Sequence, residues 1–195
     1  MQRKGDAGPP GELGGHSLTR RRASSKLMIM DACVLIDFLG ADRDVLRRIA
    51  KHVGQVYVAS PVIDELNDIK DESQLTELGI IILEPEMADA FAASGQPGPA
   101  SFQDKLCLLT AKRHGLTCVT NDKNLRKLCM QEKVQRLWGL EVLAELHKYR
   151  GISDKKVIKI AHEIRSLNPK HITEKIVSRF EKEIDEQVRK RNKAG

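Results

Sequence analysis

Four acidic residues, far apart in the chain, stand where a parallel sheet would bring them to one edge: Asp31, Glu65, Asp104 and Asp122. Asp31 interrupts an apolar segment, where an unpaired carboxylate is costly in free energy. Clustered carboxylates repel one another unless a cation neutralises them. The residue types therefore predict a shared cation site.

A site built only from carboxylate oxygens suits some metals better than others. Without His or Cys among the ligands, it favours Mg²⁺ or Mn²⁺ over zinc. Such an ion polarises a phosphate group and lowers the pKa of a bound water, and a second ion stabilises the leaving oxygen. The four acids therefore predict metal-dependent hydrolysis of a phosphodiester.

Each of these acids also has a competing structural interpretation, and for Asp31 it requires a buried partner. The sequence Ser101-x-x-Asp104 resembles a capping box, in which the acid serves the start of a helix. Asp122 could cap the helix that begins near Asn124, and Glu65 could be a solvated helix residue. The set is more informative than any member, because independent structural acids have no reason to share one sheet edge.

The elements that must position these acids alternate between apolar strands and amphipathic helices. This alternation is typical of a parallel α/β sheet with helices on both faces, in which ligands bind at the carboxyl ends of the strands where the strand order reverses. The five predicted strands are 27–36, 56–59, 79–83, 117–120 and 134–137. The predicted helices are one through Val45–Ile49, one opened by Ser60 and Pro61 that carries Glu65, and those at 86–93, 101–114, 124–131, 140–149, 154–167 and 172–190.

Charge divides the chain into three parts. Residues 1–26 have a net charge of +4 and several Gly and Pro residues, which predicts a disordered basic leader. Residues 27–150 have a net charge of −3 and form the predicted catalytic domain, and residues 151–195, at +5, form a predicted basic helical extension. The basic ends are either solvated tails or surfaces for phosphate backbones.

The last predicted helix carries a narrow apolar stripe that must pack on something. Its members recur at steps of four residues: Ile172, Ile176, Phe180 and Ile184. The body of the protein, the preceding helix, a partner protein or a second copy of the chain could cover it.

The cysteines and the hydropathy pattern predict a cytoplasmic protein. No stretch approaches the roughly 18 uninterrupted apolar residues that a membrane-spanning helix needs. No CxxC pair is present, and all four cysteines lie in apolar segments, which predicts buried, reduced thiols. They are Cys33, Cys107, Cys118 and Cys129.

The segments around the four acids resemble those of the PIN-domain nucleases, in the same order. The matching segments are 28–36 around Asp31, 60–66 with Glu65, 101–104 and 120–125. Together they span about residues 27–148, nearly the whole body. The resemblance implies a PIN-like three-layer sandwich with a parallel sheet of about five strands.

Within that family the chain is most similar to the VapC-type toxins of prokaryotic toxin–antitoxin pairs. Those enzymes cleave RNA endonucleolytically with Mg²⁺ or Mn²⁺ and leave a 5′-phosphate and a 3′-hydroxyl. The resemblance implies RNA as substrate, an antitoxin-like protein partner and pairing with a second copy. It implies that the metal is bound by Asp31, Glu65, Asp104 and Asp122, with Asp31 and Asp104 as direct ligands. The residues that would support those ligands are Cys33, where the family usually has a small hydroxyl or amide residue, Thr120 and Asn121.

Basic residues near Asp122 are candidates for holding the RNA backbone. Lys123 and Arg126 follow it directly and are the nearest to the predicted acidic edge. The competing interpretation is that they belong to the solvated face of a helix. If they do bind RNA, the contacts are electrostatic and weaken steeply with salt.

Other function classes fit the residues less well. A receiver domain needs an Asp after the third strand, where the chain has Glu84, and a haloacid-dehalogenase-type phosphatase needs Asp-x-Asp, where the chain has Asp31-Ala-Cys33. A flap-type DNA nuclease usually carries more acidic ligands and a helical arch. The main alternative is a catalytically weak PIN scaffold that binds RNA or a protein partner without cleavage.

Overall fold

The centre of the molecule is a parallel sheet of five strands. The computed structural model describes residues 26–193, so the predicted leader, residues 1–26, lies outside the described part of the chain except for Lys26. The strands are β1 Lys26–Met30, β2 Gly54–Ala59, β3 Ile80–Leu83, β4 Thr117–Val119 and β5 Arg136–Leu137. Their order across the sheet is β3-β2-β1-β4-β5, and every neighbouring pair is parallel.

Helices connect the strands and follow the last of them. Those before β4 are α1 Ala32–Asp42, α2 Asp44–His52, α3 Ser60–Ile63, α4 Ser73–Glu77, α5 Met87–Gly95 and α6 Phe102–His114. Those after it are α7 Lys123–Gln131, α8 Gly139–Lys148, α9 Asp154–Leu167 and α10 Glu174–Lys193. Apart from the differences described below, the predicted elements are present with ends shifted by up to three residues.

The sheet is covered on both faces. Met28, Ile29 and Met30 of the central strand β1 have no exposed surface, and consecutive side chains of a strand point to opposite faces. Helix α6 packs across β1, β2 and β4 and contacts α5 and α7, whereas α2 packs against β2 and β3 and contacts α1 and α8. The expected three-layer α/β architecture with a parallel five-stranded sheet is confirmed.

The first predicted strand, 27–36, is wrong in its second half. Strand β1 ends at Met30, and helix α1 begins directly after Asp31. The buried residues Val34, Leu35 and Phe38 recur at helical spacing on one face of α1. A short, nearly continuous apolar run has no clear period, so it does not separate a buried strand from a buried helix.

The helix predicted to carry Glu65 is also wrong. Helix α3 makes one turn over Ser60–Ile63, and Glu65 lies in the turn that follows. Ser60 is its first residue rather than its cap, a position that Ala59 occupies. Beyond Ile63 the chain buries only Leu66 before it turns polar, which leaves no apolar face to support a longer helix. The short helix α4 was not predicted.

The C-terminal helices complete the main hydrophobic core. Helix α9 packs against α1 and α8, and α10 packs against α8 and α9. The buried face of α10 is formed by Val177, Phe180 and Ile184, whereas the predicted stripe member Ile176 is 38% exposed. The predicted four-residue steps were therefore wrong at Ile176, because a helix of 3.6 residues per turn keeps one face by alternating steps of three and four.

The remaining expectations about burial concern the thiols and the membrane. All four cysteines are free; Cys107, Cys118 and Cys129 are buried, and Cys33 is half-buried. Within residues 26–193, no helix combines the length and the apolar character needed to cross a bilayer.

Replacing Phe180 by Ala is expected to destabilise the protein by about 3–5 kcal/mol, because the change leaves a cavity between α10 and α8. The matched variant Ile176→Ala, on the exposed side of the same helix, should cost about 1 kcal/mol or less. Urea unfolding of the two variants measures both free energies. Equal losses would show that α10 does not pack on the body through this face.

Candidate metal centre

The strand order places a candidate site between the ends of β1 and β4. Strands β2 and β3 lie on one side of β1, and strands β4 and β5 lie on the other side. The direction in which strands are added therefore reverses between β1 and β4. Asp31 directly follows β1, and Thr120 and Asn121 directly follow β4. This is the position at which open parallel sheets bind ligands.

Asp31 is a buried carboxylate held by side chains from both strand ends. It is 4% exposed. Its Oδ2 accepts hydrogen bonds from Oγ1 of Thr120 at 2.8 Å and from Sγ of Cys33 at 2.9 Å. Burial raises the pKa of Asp31, the two hydrogen bonds oppose that effect, and the charge of Asp104 adds to it. The orientation of this carboxylate is therefore fixed before any ligand binds.

Two further carboxylates lie near Asp31. The pKa of Glu65 is raised by partial burial and then by the charges of Asp31 and Asp104, although the Glu65 side chain is exposed. No ion pair between residues of the described segment 26–193 involves any of these three acids. Within the described residues, the fold thus gathers negative charge at the switch point without an ion pair to balance it.

Two of the predicted site acids also serve helix N-termini. Oδ2 of Asp104 accepts from the backbone N–H of Ser101 at 2.9 Å, and Oγ of Ser101 accepts from the N–H of Asp104 at 3.0 Å, which is a capping box. Oδ1 of Asp122 accepts from the N–H groups of Asn124 and Leu125.

Asp104 and Asp122 differ in their relation to the other acids. The charge of Asp104 perturbs both Asp31 and Glu65, and Asp122 is not among the main causes of either shift. The structure therefore brings together Asp31, Glu65 and Asp104, and it leaves Asp122 beside them at the start of α7. A metal-binding role for each acid stays a prediction.

The donor atoms of this cluster fit a hard divalent cation. Three carboxylates of unbalanced charge suit Mg²⁺ or Mn²⁺ and not a soft metal. Within residues 26–193, however, no three Asp, Glu, His or Cys side chains are grouped tightly enough to hold an ion as they stand. The acids carry oxygen donors of the kind that such an ion prefers, and their spacing is looser than that of a closed coordination shell. Metal binding stays a prediction.

Cys33 supports Asp31 as a hydrogen-bond donor. Its thiol donates to Asp31 and accepts from the backbone N–H of Asn121 at 3.4 Å. Burial raises the pKa of Cys33 strongly, and the nearby charge of Asp31 raises it further. The thiol therefore stays protonated and fixes the carboxylate of Asp31 by its hydrogen bond.

Asp37 and Asn168 are structural partners of the site that the sequence reading missed. Asp37 is 3% exposed, and its carboxylate accepts from Nδ2 of Asn121 at 2.8 Å and from Nδ2 of Asn168 at 3.1 Å. Oδ1 of Asn121 in turn accepts from the N–H of Gly139 at 3.0 Å. The signal available in the sequence was an acid inside an apolar run, six residues after Asp31.

The two basic residues predicted to hold RNA lie in the first turns of α7. Lys123 is exposed. The guanidinium of Arg126 stacks on the ring of Trp138, with Cζ 3.6 Å from the ring centroid, and its Nη1 donates to the carbonyl of Thr120 at 3.5 Å. Burial lowers the pKa of Arg126. Trp138 follows β5 and had not been identified as part of this edge.

Comparison with known proteins gives one similar structure. No family model and no curated protein matches the chain. A PilT N-terminus domain protein from the archaeon Sulfolobus solfataricus is similar in structure, with a TM-score of 0.42, 11% sequence identity, and coverage of 61% of this chain and 92% of that one. What the site can do is therefore inferred from the residues of this chain.

Replacing Asp37 by Ala is expected to lower the free energy of unfolding by about 2–4 kcal/mol, because it leaves the buried amides of Asn121 and Asn168 without their acceptor. The matched variant Asp64→Ala removes an exposed acid and should cost about 0.5 kcal/mol or less. Chemical denaturation measures both. A loss at Asp37 no larger than that at Asp64 would contradict the bridging role.

Proposed function

We propose that the protein is a metal-dependent endoribonuclease of the PIN type. The observation that carries the proposal is the cluster of Asp31, Glu65 and Asp104 at the switch point of a parallel sheet, which forms no ion pair within the described segment. A buried carboxylate in such a cluster destabilises the fold. A cost of this kind at a ligand-binding edge is typical of a functional site.

The predicted acids would share one task in this proposal, which is to bind the metal ion. Asp31, Glu65 and Asp104 would hold Mg²⁺ or Mn²⁺, and Asp122 would complete the set from the start of α7. The bound ion would polarise the phosphodiester and activate a water molecule. Thr120 and Cys33 hold Asp31 in one orientation by their hydrogen bonds, which keeps the ligand in place without the ion.

RNA is the proposed substrate, on the resemblance to the VapC-type toxins together with the basic residues at this edge. Lys123 and Arg126 lie within one turn of Asp122 and would contact the phosphate backbone. A toxin role, an antitoxin-like protein partner and pairing with a second copy are proposals that rest on the same resemblance. A cytoplasmic location is a proposal that rests on the four free cysteines.

A second candidate is a PIN scaffold that binds RNA or a protein without cutting it. The observation in its favour is that Asp104 and Asp122 are both engaged in helix caps, and that the acids of the described segment do not form a closed metal site. A scaffold of this kind would bind RNA with a steep dependence on salt and would release no cleavage products with either metal.

Purified protein is expected to cleave single-stranded or structured RNA with Mg²⁺ or Mn²⁺ and to lose this activity in EDTA. The variant Asp31→Asn should reduce cleavage roughly 100-fold or more, as when one preorganised charge is removed from an active site. Denaturing gels with labelled RNA measure the rate. The matched variant Asp68→Asn removes an exposed acid outside the cluster and should leave the rate unchanged.

The stability of Asp31→Asn separates loss of function from loss of fold. An amide oxygen can still accept from Thr120 and Cys33, and the substitution removes a buried charge and its repulsion with Asp104. In EDTA the variant should therefore be at least as stable as the parent protein. Cleavage by Asp31→Asn at the parental rate would contradict the nuclease proposal and favour a contaminant.

Replacing Asp122 by Asn tests whether this acid does more than cap α7. Asn caps helices about as well as Asp, so the free energy of unfolding should change by less than about 0.5 kcal/mol. If Asp122 takes part in metal binding, cleavage should fall about tenfold or more at limiting Mn²⁺ and recover partly at high Mn²⁺. Unchanged kinetics at every Mn²⁺ concentration would restrict Asp122 to a structural role.

A further inference from the structure

Trp138 occupies the same sheet edge as the carboxylate cluster. It directly follows β5, which lies next to β4, and Asp31 directly follows β1 on the other side of β4. Strands of a sheet are about 4.8 Å apart, so two strand positions separate these residues by on the order of 10 Å. Phosphates recur every ~3.4 Å or more along a nucleic acid strand, so one strand can reach both places.

The indole of Trp138 takes part in two features at once. The guanidinium of Arg126 stacks on the ring, and the same residue lines a groove of about 210 Å³ between the start of α8 and helix α10. Its apolar lining consists of Ile176, which is 38% exposed, and of the small exposed parts of Leu140, Ile172 and Phe180. The groove is smaller than the roughly 300–1,000 Å³ of pockets that take drug-sized ligands, a size that suits one flat ring system.

The polar residues of the groove indicate what kind of ring it would take. Glu141 and Glu183 line it together with Arg179, and all three are exposed. Two carboxylates repel a phosphate group. Oε2 of Glu141 already accepts from the backbone N–H of Trp138 at 2.7 Å, so Glu183 is the carboxylate that would accept a hydrogen bond from an amino group. A nucleobase with an exocyclic amino group offers such a donor, whereas uracil offers only carbonyl oxygens in that place.

We infer that the groove between Trp138 and α10 is a binding site for an unpaired nucleobase that carries an exocyclic amino group, and that it positions the RNA strand whose phosphate lies at the carboxylate cluster. This inference rests on the proposed function for its substrate. The base stacks on the indole and the apolar lining, its amino group donates to Glu183, and Arg126 and Arg179 attract the flanking phosphates. Cytidine, adenosine and guanosine are therefore preferred over uridine.

The chain contains one tryptophan, so tryptophan fluorescence reports on the surroundings of Trp138 alone. The full-length protein is titrated in EDTA, which prevents cleavage, with short oligomers of cytidine, adenosine or uridine. Saturable quenching by the cytidine and adenosine oligomers, with at least about threefold weaker binding of the uridine oligomer, is the expected result. Unchanged emission with all three oligomers would overturn the inference.

Variants test the contacts with a labelled cytidine oligomer and fluorescence anisotropy. Trp138→Ala should weaken binding about five- to 100-fold, the range for the loss of one base–aromatic stack, and Trp138→Phe should recover most of the affinity. Glu183→Gln should reduce the preference for cytidine over uridine, whereas Glu186→Gln, on the same helix and outside the groove, should not. Parental affinity and preference in Trp138→Ala and Glu183→Gln would overturn the inference even if RNA binds elsewhere.

The outcome is separable from that of the cleavage experiment. Metal-dependent cleavage that depends on Asp31, together with RNA binding that leaves Trp138 unaffected, would retain the nuclease and reject the base site. Quenching of Trp138 with the predicted preference, in a protein that cuts no RNA with either metal, would retain the base site in an RNA-binding scaffold. In the absence of RNA, a rise or a wavelength shift of Trp138 emission with increasing protein concentration would instead assign the groove to a second copy of the chain. That result would overturn the inference.

Discussion

The side chain of Asn121 connects the elements on which the candidate site depends. Its Nδ2 donates to the buried carboxylate of Asp37 on α1, and its Oδ1 accepts from the first N–H of α8 at Gly139. Because Asp37 also accepts from Asn168, the end of α9 joins the same network. A buried polar group without a partner is costly, so these bonds fix the end of β4 relative to three helices, and with it Thr120, the partner of Asp31.

The site itself works against the stability of the fold. Buried charge near other carboxylates opposes folding, and the loss must be offset by packing elsewhere. With 4% aromatic residues in the chain, the core is built mainly from aliphatic side chains, to which the sheet and helices α1, α2, α8, α9 and α10 all contribute. The packing of the C-terminal helices is thus part of what offsets the cost of a charged sheet edge.

The sequence allowed the fold class and the sheet edge that holds the acids to be predicted. Strand–helix alternation predicts a parallel sheet, and residues that follow the strands of such a sheet lie at one edge. The end of β1 could not be predicted from the apolar run around Asp31, because both a strand and a helix there are buried. The helix predicted to carry Glu65 was wrong because a one-turn helix leaves almost no periodic signal. The network of Asp37 was missed because its partners lie 84 and 131 residues away, and no local pattern reports such pairing.

The hydrogen bond between Asp37 and Asn168 determines when the network around Asp37 can form during synthesis of the chain. Synthesis proceeds from the N-terminus, and contacts between distant residues form last. The amide that completes the network around Asp37 is contributed by a residue 131 positions later, after all five strands have emerged. The network around Asp37 can therefore be completed only after residue 168 has been synthesised, so a nascent chain that already contains all five strands still lacks one of its hydrogen-bond donors.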